Sequence, residues 1–137
     1  MKIKKTISLD FNGYYKEGAN LTDTSGLYFV YRGIPTGEKK CKITGLLYIG
    51  QAEKINERVN ENHEHYDDWK RELNQGEMLY YSVCHVEPEL LDMVEAACIY
   101  KAQPCVNTQC KESYNYGPVR IVSSGRVTHL PLDFDLG

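Results

Sequence analysis

The stretch that decides the fold is residues 26–50, GLYFVYRGIPTGEKKCKITGLLYIG. Its two ends, residues 27–32 (LYFVYR) and 46–49 (LLYI), are rich in aromatic, leucine and β-branched side chains, which favour strands. The middle, residues 33–45, holds glycines, a proline and several lysines, a composition that favours a connecting loop. We therefore predict two neighbouring strands joined by a long hairpin connection.

Helical spacing begins directly after this pair of strands. Ala52, Ile55 and Val59 lie three and four residues apart, which is the apolar stripe of an amphipathic helix. A polar helical stretch is predicted near residues 66–73, and Gly76 is expected to stop it.

A third strand and a second long helix follow along the chain. The strand is predicted at residues 78–83 (MLYYSV). Pro88 suits the first turn of a helix, and Pro104 ends the helical spacing that follows it. The order strand, strand, helix, strand, helix predicts an α/β (α+β) fold, in which a small central antiparallel or mixed sheet of about three strands is flanked by helices.

The two ends of the chain are predicted to add to this core. Residues 2–11 alternate loosely and suggest an edge strand, and residues 12–25 have the composition of a loop. Residues 119–122 and 126–130, on either side of Ser-Ser-Gly, suggest a C-terminal hairpin. We predict one domain with a core, an N-terminal extension and a C-terminal hairpin extension at about residues 25–108, 1–24 and 109–137.

Composition places the chain among ordinary globular proteins. It is 42% apolar and 26% charged, and no segment has the apolar length that a membrane-spanning helix needs. The five cysteines are an odd number without zinc-site spacing, and no apolar run follows the first lysines, so we predict reduced thiols in the cytoplasm. The net charge is −3, so contact with phosphates would require a local basic patch.

Four groups of residues carry the candidate chemistry when they are taken together. They are two tripeptides at strand ends, an arginine on the predicted first helix, and a glutamate and an asparagine around the second helix: Gly26-Leu27-Tyr28, Tyr48-Ile49-Gly50, Arg58, Glu95 and Asn107. Arg58 lies ten residues after Tyr48, and Asn107 lies twelve after Glu95. Over about residues 25–108 this constellation resembles the GIY-YIG nuclease family, with Leu27 in place of isoleucine in the first tripeptide.

The resemblance implies a DNA endonuclease that hydrolyses phosphodiester bonds with the help of Mg²⁺ or Mn²⁺, and RNA stays open as an alternative substrate. It implies a catalytic set made of two tyrosines, an arginine, a glutamate and an asparagine: Tyr28, Tyr48, Arg58, Glu95 and Asn107. In the family the position of Glu95 binds the metal.

The chemistry of the reaction calls for the same types of side chain. Hydrolysis needs a base for the attacking water and positive charge beside the developing phosphorane. Glu95 alone can suffice for Mg²⁺, which keeps several waters and takes other ligands from the phosphate, and Arg58 offers a forked, permanently charged donor. Either Tyr28 or Tyr48 can activate water, and the resemblance favours Tyr28. A tyrosine pKa is normally ~10, so a nearby cation would have to favour the phenolate.

Further substrate-binding positions lie beside these residues. They are Gly50, Gln51, Asn62 and His65. The family often has lysine where this chain has Gln51, and histidine or tyrosine one helical turn past the arginine, where this chain has Asn62. On a continuous helix Arg58, Asn62 and His65 would lie on one face, and His63 would point away from that face.

Lys39, Lys40 and Lys42 lie in the connection between the two tyrosine strands. One interpretation is a solvated hairpin tip, which is the common fate of such a run. The other is a loop that contacts phosphates and supplies the local basic patch that the net charge lacks. The sequence favours neither.

A second function, from a different class, also stays open. The chain would then be a catalytically attenuated GIY-YIG scaffold that acts as a nucleic-acid- or protein-binding module. Gln51, Asn62 and the acidic net charge favour this alternative. The complete set of five catalytic positions favours the nuclease.

Overall fold

The computed structural model of the protein describes residues 3–137, which form six strands and three α-helices. In chain order these are β1 (Lys5–Lys16), β2 (Gly26–Gly37), β3 (Lys40–Ala52), α1 (Ile55–Arg58), α2 (Tyr66–Arg71), β4 (Met78–His85), α3 (Leu91–Ala102), β5 (Val119–Gly125) and β6 (Asp133–Leu136). A 3₁₀ turn, Pro88–Leu90, leads into α3. Lys2, at the start of the predicted N-terminal strand, lies outside the described residues.

All six strands belong to one curled sheet in the order β3-β2-β4-β1-β5-β6. Its pairs are antiparallel except for β1 and β5, which run parallel. The predicted three-stranded sheet flanked by helices is therefore wrong. The segments that we assigned to terminal extensions supply β1, β5 and β6 of the same sheet.

β1 is an interior strand rather than a loose edge strand followed by a loop. Leu9 and Phe11 are buried at strand spacing, and the strand continues through Gly13 to Lys16. A Cβ atom at Gly13 would lie 2.7 Å from Ser82 Oγ and 2.9 Å from the Tyr81 carbonyl oxygen. This glycine therefore permits a close approach of β1 to β4, although in the sequence it suggested a loop.

β2 and β3 are longer than predicted, so the connection between them is short. Their pairing runs from Gly26 opposite Ala52 to Gly37 opposite Lys40, which leaves residues 38–39 as the turn. The proline within β2, Pro35, is tolerated there because β4 pairs with β2 only as far as Gly33. Beyond that point no ladder hydrogen bond with β4 is lost.

The C-terminal strands also differ from the predicted hairpin. The residues predicted as its turn belong to β5, which continues to Gly125, and the second strand, β6, begins only at Asp133. Gly125 has a φ of +87°, and Arg126 then bonds through its backbone N–H to the Phe11 carbonyl oxygen. The segment between β5 and β6 is thus hydrogen-bonded to β1.

The helix that carries Arg58 is much shorter than its apolar stripe predicted. α1 ends at Arg58, and Val59 already has extended backbone angles. The Asn60 side chain donates to the Glu57 carbonyl oxygen and accepts from the Asn62 backbone N–H. Such side-chain bonds offer the backbone an alternative to the helix, so residues 59–65 form turns instead.

Alternate residues of β2 face two separate cores. Leu27, Phe29 and Tyr31 pack on the side that α3 covers, whereas Tyr28 and Val30 pack on the side that α1 and α2 cover. Because both faces of β2 are buried, its sequence is a continuous apolar run rather than an alternating one. β3 forms one edge of the sheet, and the candidate site lies around the end of β3 that reaches Gly50.

Within residues 3–137, no helix combines the length and the apolar character required to cross a lipid bilayer. All five cysteines are free thiols.

Candidate functional site

The two site tyrosines lie side by side on the face covered by α1 and α2. Tyr28 pairs with Gly50, and Tyr48 pairs with Val30 two residues further along the same two strands. The two rings stack with their centroids 6.2 Å apart. Tyr28 is only 1% exposed, so its hydroxyl is held in one place.

Gly50 makes room for the Tyr28 ring. A Cβ atom at residue 50 would lie 2.3 Å from the Tyr28 hydroxyl oxygen and 2.2 Å from its Cζ atom. The last glycine of the second tripeptide is therefore required by the tyrosine of the first, and Gly50 shapes the site without offering a polar group of its own.

Gly50→Ala is expected to push Tyr28 out of its position and to destabilise the fold by about 1–3 kcal/mol, the usual cost of overpacking a core. Denaturant unfolding measures this loss. Gly37→Ala is the matched control, because a Cβ atom there would meet only the flexible Lys40 side chain, at 3.9 Å. Equal stability of the two variants would contradict this account of Gly50.

His63 makes the closest polar contact with Tyr28, although the sequence analysis pointed it away from the site. Its Nε2 atom lies 2.8 Å from the Tyr28 hydroxyl oxygen. The helical wheel failed because α1 ends at Arg58, so the wheel does not apply to residue 63. Because residues 59–65 form turns, the residue that reaches the Tyr28 hydroxyl is His63 and not Asn62.

The hydrogen bonds of His63 fix which ring nitrogen carries its proton. Burial, followed by the charge of Arg58, lowers the pKa of His63 to about 4, so the ring is neutral at neutral pH. The backbone N–H of His65 donates to His63 Nδ1 over 3.0 Å, so Nδ1 is the unprotonated nitrogen. Nε2 therefore carries the proton and donates it to the Tyr28 hydroxyl oxygen. The hydroxyl proton of Tyr28 is then left to point elsewhere.

Both tyrosines are neutral phenols in this structure. Burial raises the pKa of Tyr28 well above its usual value, with a contribution from Tyr48, and Arg58 opposes the shift. Burial and Glu95 raise the pKa of Tyr48 to about 12. A cation does stand beside Tyr28, as the proposed chemistry requires, but burial outweighs it in the free protein.

Arg58 stands close enough to four other groups of the cluster to act on their charges. Its charge acts on the pKa values of Tyr28, Tyr48, His63 and Glu95, which places all four within its electrostatic reach. Its guanidinium Nη2 donates to the Glu64 carboxylate over 2.6 Å. The Arg58 side chain is 41% exposed and the Glu64 side chain 64% exposed, so solvent screens the ion pair, which contributes little and in which a phosphate can replace the carboxylate.

Glu95 reaches the same cleft from α3 and is held by Gln51. The Gln51 amide Nε2 donates to Glu95 Oε1 over 3.0 Å and to Asp92 Oδ1 over 2.8 Å. Burial raises the pKa of Glu95, and the Asp92 charge adds to this shift. Gln51 thus orients the glutamate, and Asp92, one turn earlier on α3, is a neighbour that the sequence analysis missed.

The oxygen atoms around Glu95 fit a weakly held Mg²⁺ ion. Among residues 3–137 no three His, Cys, Asp or Glu side chains are grouped so that they could hold a metal ion by themselves. Mg²⁺ does not require such a group, because it usually keeps several waters and binds one or two carboxylates together with substrate phosphates. Glu95, with Asp92 beside it, provides that number of carboxylates.

Asn107 lines the same cleft as Tyr48 and Glu95, and its amide group is bonded to the backbone of β3. Its Oδ1 atom accepts from the Ile49 N–H and its Nδ2 atom donates to the Ile49 carbonyl oxygen, each over 2.9 Å. The neighbouring Val106 N–H bonds to the Leu47 carbonyl oxygen, so this segment covers the free edge of β3. Asn107 therefore positions Tyr48 and Gly50, which flank Ile49.

His65 joins the site, whereas Asn62 does not. The His65 ring lies 5.1 Å from the Tyr48 ring, and both line a cavity of about 190 Å³ that Glu95 also borders. Asn62 is exposed and faces a different cavity, which Glu17 borders. The predicted shared face of Arg58 and Asn62 does not exist, because the helix between them ends.

The three lysines of the β2–β3 connection are not brought to the site. Lys39 lies in the turn, and Lys40 and Lys42 begin β3 at the end opposite Gly50. Ten residues separate Lys40 from Gly50. At ~3.3 Å per residue this is roughly 30 Å along the strand. These lysines contact nothing in the tyrosine cluster.

Comparison with known proteins finds no match: no protein-family model, no curated protein and no solved structure matches the chain. The functional interpretation of the site therefore depends on its residues and their geometry.

Proposed function

We propose that the protein is a metal-dependent endonuclease that hydrolyses phosphodiester bonds in DNA. The observation that carries the proposal is the environment of the Tyr28 hydroxyl oxygen. His63 donates a hydrogen bond to it, Arg58 stands beside it, and Glu95 reaches the same cleft. A buried tyrosine needs none of these groups for packing, but a base that must become a phenolate benefits from the first two.

Each residue has a distinct task in the proposed reaction. Arg58 exchanges Glu64 for the substrate phosphate and stabilises the negative charge that develops on it. Once Tyr28 is a phenolate, its oxygen takes a proton from water. The water oxygen bonds to phosphorus while the bond from phosphorus to the leaving oxygen breaks, and the leaving oxygen takes a proton from solvent. The His63 N–H holds the phenolate oxygen in line throughout.

Glu95 would hold the divalent ion, Mg²⁺ or Mn²⁺, and Gln51 would keep its carboxylate turned toward the cleft. Such an ion supplies Lewis-acid stabilisation of phosphoryl and leaving-group oxygens. His65 lies at the rim of the cleft next to Tyr48, where it would contact the substrate backbone. We place this activity in the cytoplasm because all five cysteines are free.

The second candidate is a binding module without catalysis, and the charge around the site favours it. Residues 53–77 contain eight acidic and four basic side chains. One of the acidic residues, Glu64, forms an ion pair with Arg58. A polyanion approaches such a surface less readily than a neutral one. The acidic charge favours the protein-binding form of this module, and failure to bind or to cleave nucleic acid, in Mg²⁺ and in Mn²⁺, would support it.

Nicking of a supercoiled plasmid distinguishes the two functions. We expect the parent to nick DNA in Mg²⁺ and to be inactive in EDTA, and we expect Arg58→Ala to lower the rate by about 10²-fold or more, as removal of a transition-state donor usually does. Arg71→Ala is the matched control, because Arg71 is an exposed arginine of the same segment paired with Asp68. A parent that nicks neither DNA nor RNA in either ion would overturn the proposal.

A further inference from the structure

A third cavity, of about 540 Å³, lies at the turn end of the β2–β3 hairpin. We call it the hairpin groove. The residues that line it and carry the inference are Tyr14, Lys16, Lys39, Lys40 and Tyr80. Strand β1 supplies one wall, and the start of β3 supplies the opposite wall.

The hairpin groove is rimmed by cations that the protein does not neutralise. Lys16, Lys39 and Lys40 are exposed. The lysines that form ion pairs within residues 3–137 are Lys4 and Lys70, neither of which lines the groove. One acidic residue, Glu38, lies in the turn itself. This end of the molecule is therefore positive although the whole chain has a net charge of −3.

The floor and wall of the hairpin groove are tyrosine rings held in fixed positions. Tyr14 is half-buried and packs edge-on against the buried Tyr31, with ring centroids 5.3 Å apart. Tyr80 is 5% exposed and lies over Gly33, where a Cβ atom would be 3.0 Å from its ring. Arg126 stands close enough to Tyr14 to act on its pKa, which adds a further cation beside the ring.

We propose that the hairpin groove binds a single-stranded segment of nucleic acid. Its phosphates would contact Lys16, Lys39 and Lys40, and one base would stack on Tyr14. Cations that follow a backbone together with aromatic rings that stack bases are the two elements of single-strand recognition. A duplex would use only the lysines, because its bases are already stacked, and an acidic peptide would leave the tyrosine rings without a planar partner.

The hairpin groove is separate from the catalytic cluster, at the far end of the same two strands. The inference draws its ligand class from the proposed function, but it does not depend on cleavage. It refines the expectation from the sequence: Lys39 and Lys40 line the groove, whereas Lys42 does not. A substrate that engages both places would carry a single-stranded stretch roughly 30 Å from the bond that is cut.

The first test measures the charge contribution. Anisotropy of a fluorescein-labelled ten-nucleotide oligothymidylate, titrated in EDTA at several salt concentrations, reports binding without cleavage. We expect the double variant Lys39→Gln/Lys40→Gln to bind more weakly. The slope of the logarithm of the binding constant against the logarithm of the salt concentration should fall in magnitude by about 1.4, since each single-strand phosphate contact contributes ~0.7. The control is Lys4→Gln/Lys5→Gln, an adjacent lysine pair at the opposite end of β1. Equal weakening by both pairs would overturn the groove as the site.

The second test measures stacking. Tyr14→Leu keeps an apolar side chain against Tyr31 and removes the aromatic face, and we expect at least about five-fold weaker binding of the oligothymidylate, the lower end of the loss for one stacked base. Tyr116→Leu is the control, because Tyr116 is an exposed tyrosine outside the groove. If Tyr14→Leu does not fold, the lysine pair still tests the proposal.

Two competitors separate the possible ligand classes. A duplex of the same length and an inorganic polyphosphate chain should both compete less well than the oligothymidylate, and Tyr14→Leu should not weaken either of them. Equal competition by polyphosphate would mean that the groove binds any polyanion, which would overturn the inference. If the parent binds oligothymidylate but nicks no DNA, the groove proposal stands and the nuclease proposal is refuted. If the parent nicks DNA but does not bind oligothymidylate, the nuclease proposal stands and the groove proposal is refuted.

Discussion

Replacing Tyr28 by phenylalanine is expected to lower cleavage by about 10²–10⁴-fold, the usual contribution of a positioned general base. The hydroxyl that would accept the proton from water is removed, while the ring that fills the core remains. The variant also leaves the His63 Nε2–H without its acceptor, so we expect a stability loss of about 1–3 kcal/mol. The nicking rate measures the first effect and denaturant unfolding the second.

Tyr31→Phe is a close control for this variant. Tyr31 lies on the same strand, is equally buried, and its hydroxyl donates to the Thr128 carbonyl oxygen over 3.1 Å. Its removal should therefore destabilise the fold to a similar degree without affecting cleavage. If both phenylalanine variants cleave like the parent, the base is not Tyr28.

The pH dependence of cleavage separates a phenolate base from an indirect role of Tyr28. Because burial raises the pKa of Tyr28, only a small fraction is phenolate at neutral pH, and that fraction grows about tenfold per pH unit. The parent rate should therefore rise with pH over the neutral and mildly alkaline range. Tyr28→Phe should remove this rise as well as lower the rate. A flat profile for the parent would point to another proton acceptor.

The sequence predicted strands β2 and β3 better than it predicted the rest of the sheet, and the difference has a physical cause. β2 is buried on both faces, and β3 follows it in the sequence and pairs directly with it. Composition alone therefore identifies both segments as strands. β1 was partly mistaken for a loop because Gly13 suggests a turn unless the neighbouring strand is known. The pairing of β1 with both β4 and β5 joins residues far apart in the sequence, which no local pattern records.

The error at His63 had a different origin. Apolar spacing at Ala52, Ile55 and Val59 is real, since Ile55 and Val59 are both buried. However, the Asn60 side chain bonds to the local backbone and ends the helix, and the face predicted for Asn62 disappears with it. Asparagine favours such local bonds over helix, so its position directly after Val59 was a usable signal.

Glu95→Gln is expected to abolish Mg²⁺-dependent cleavage, with a loss of at least about 10³-fold, because metal assistance contributes several kcal/mol to lowering the barrier. The substitution keeps the size of the side chain and its hydrogen bond from Gln51 but removes the charge that would hold the ion. Glu89→Gln serves as the control, because Glu89 is an exposed glutamate in the 3₁₀ turn that leads into α3. The nicking assay in Mg²⁺ and in EDTA compares the three proteins.

The stability of Glu95→Gln against pH tests the same residue without any metal. Burial raises the pKa of Glu95 in the folded protein, so ionisation of this carboxyl weakens the fold. That penalty is absent below the unfolded pKa of ~4.3 and grows as pH rises through the folded pKa. Relative to the parent, Glu95→Gln should therefore gain stability as the pH rises above ~4.3, and Glu89→Gln is the control. If Glu95→Gln follows the parent at every pH and still cleaves, Glu95 is an ordinary surface carboxylate and the proposed metal position is wrong.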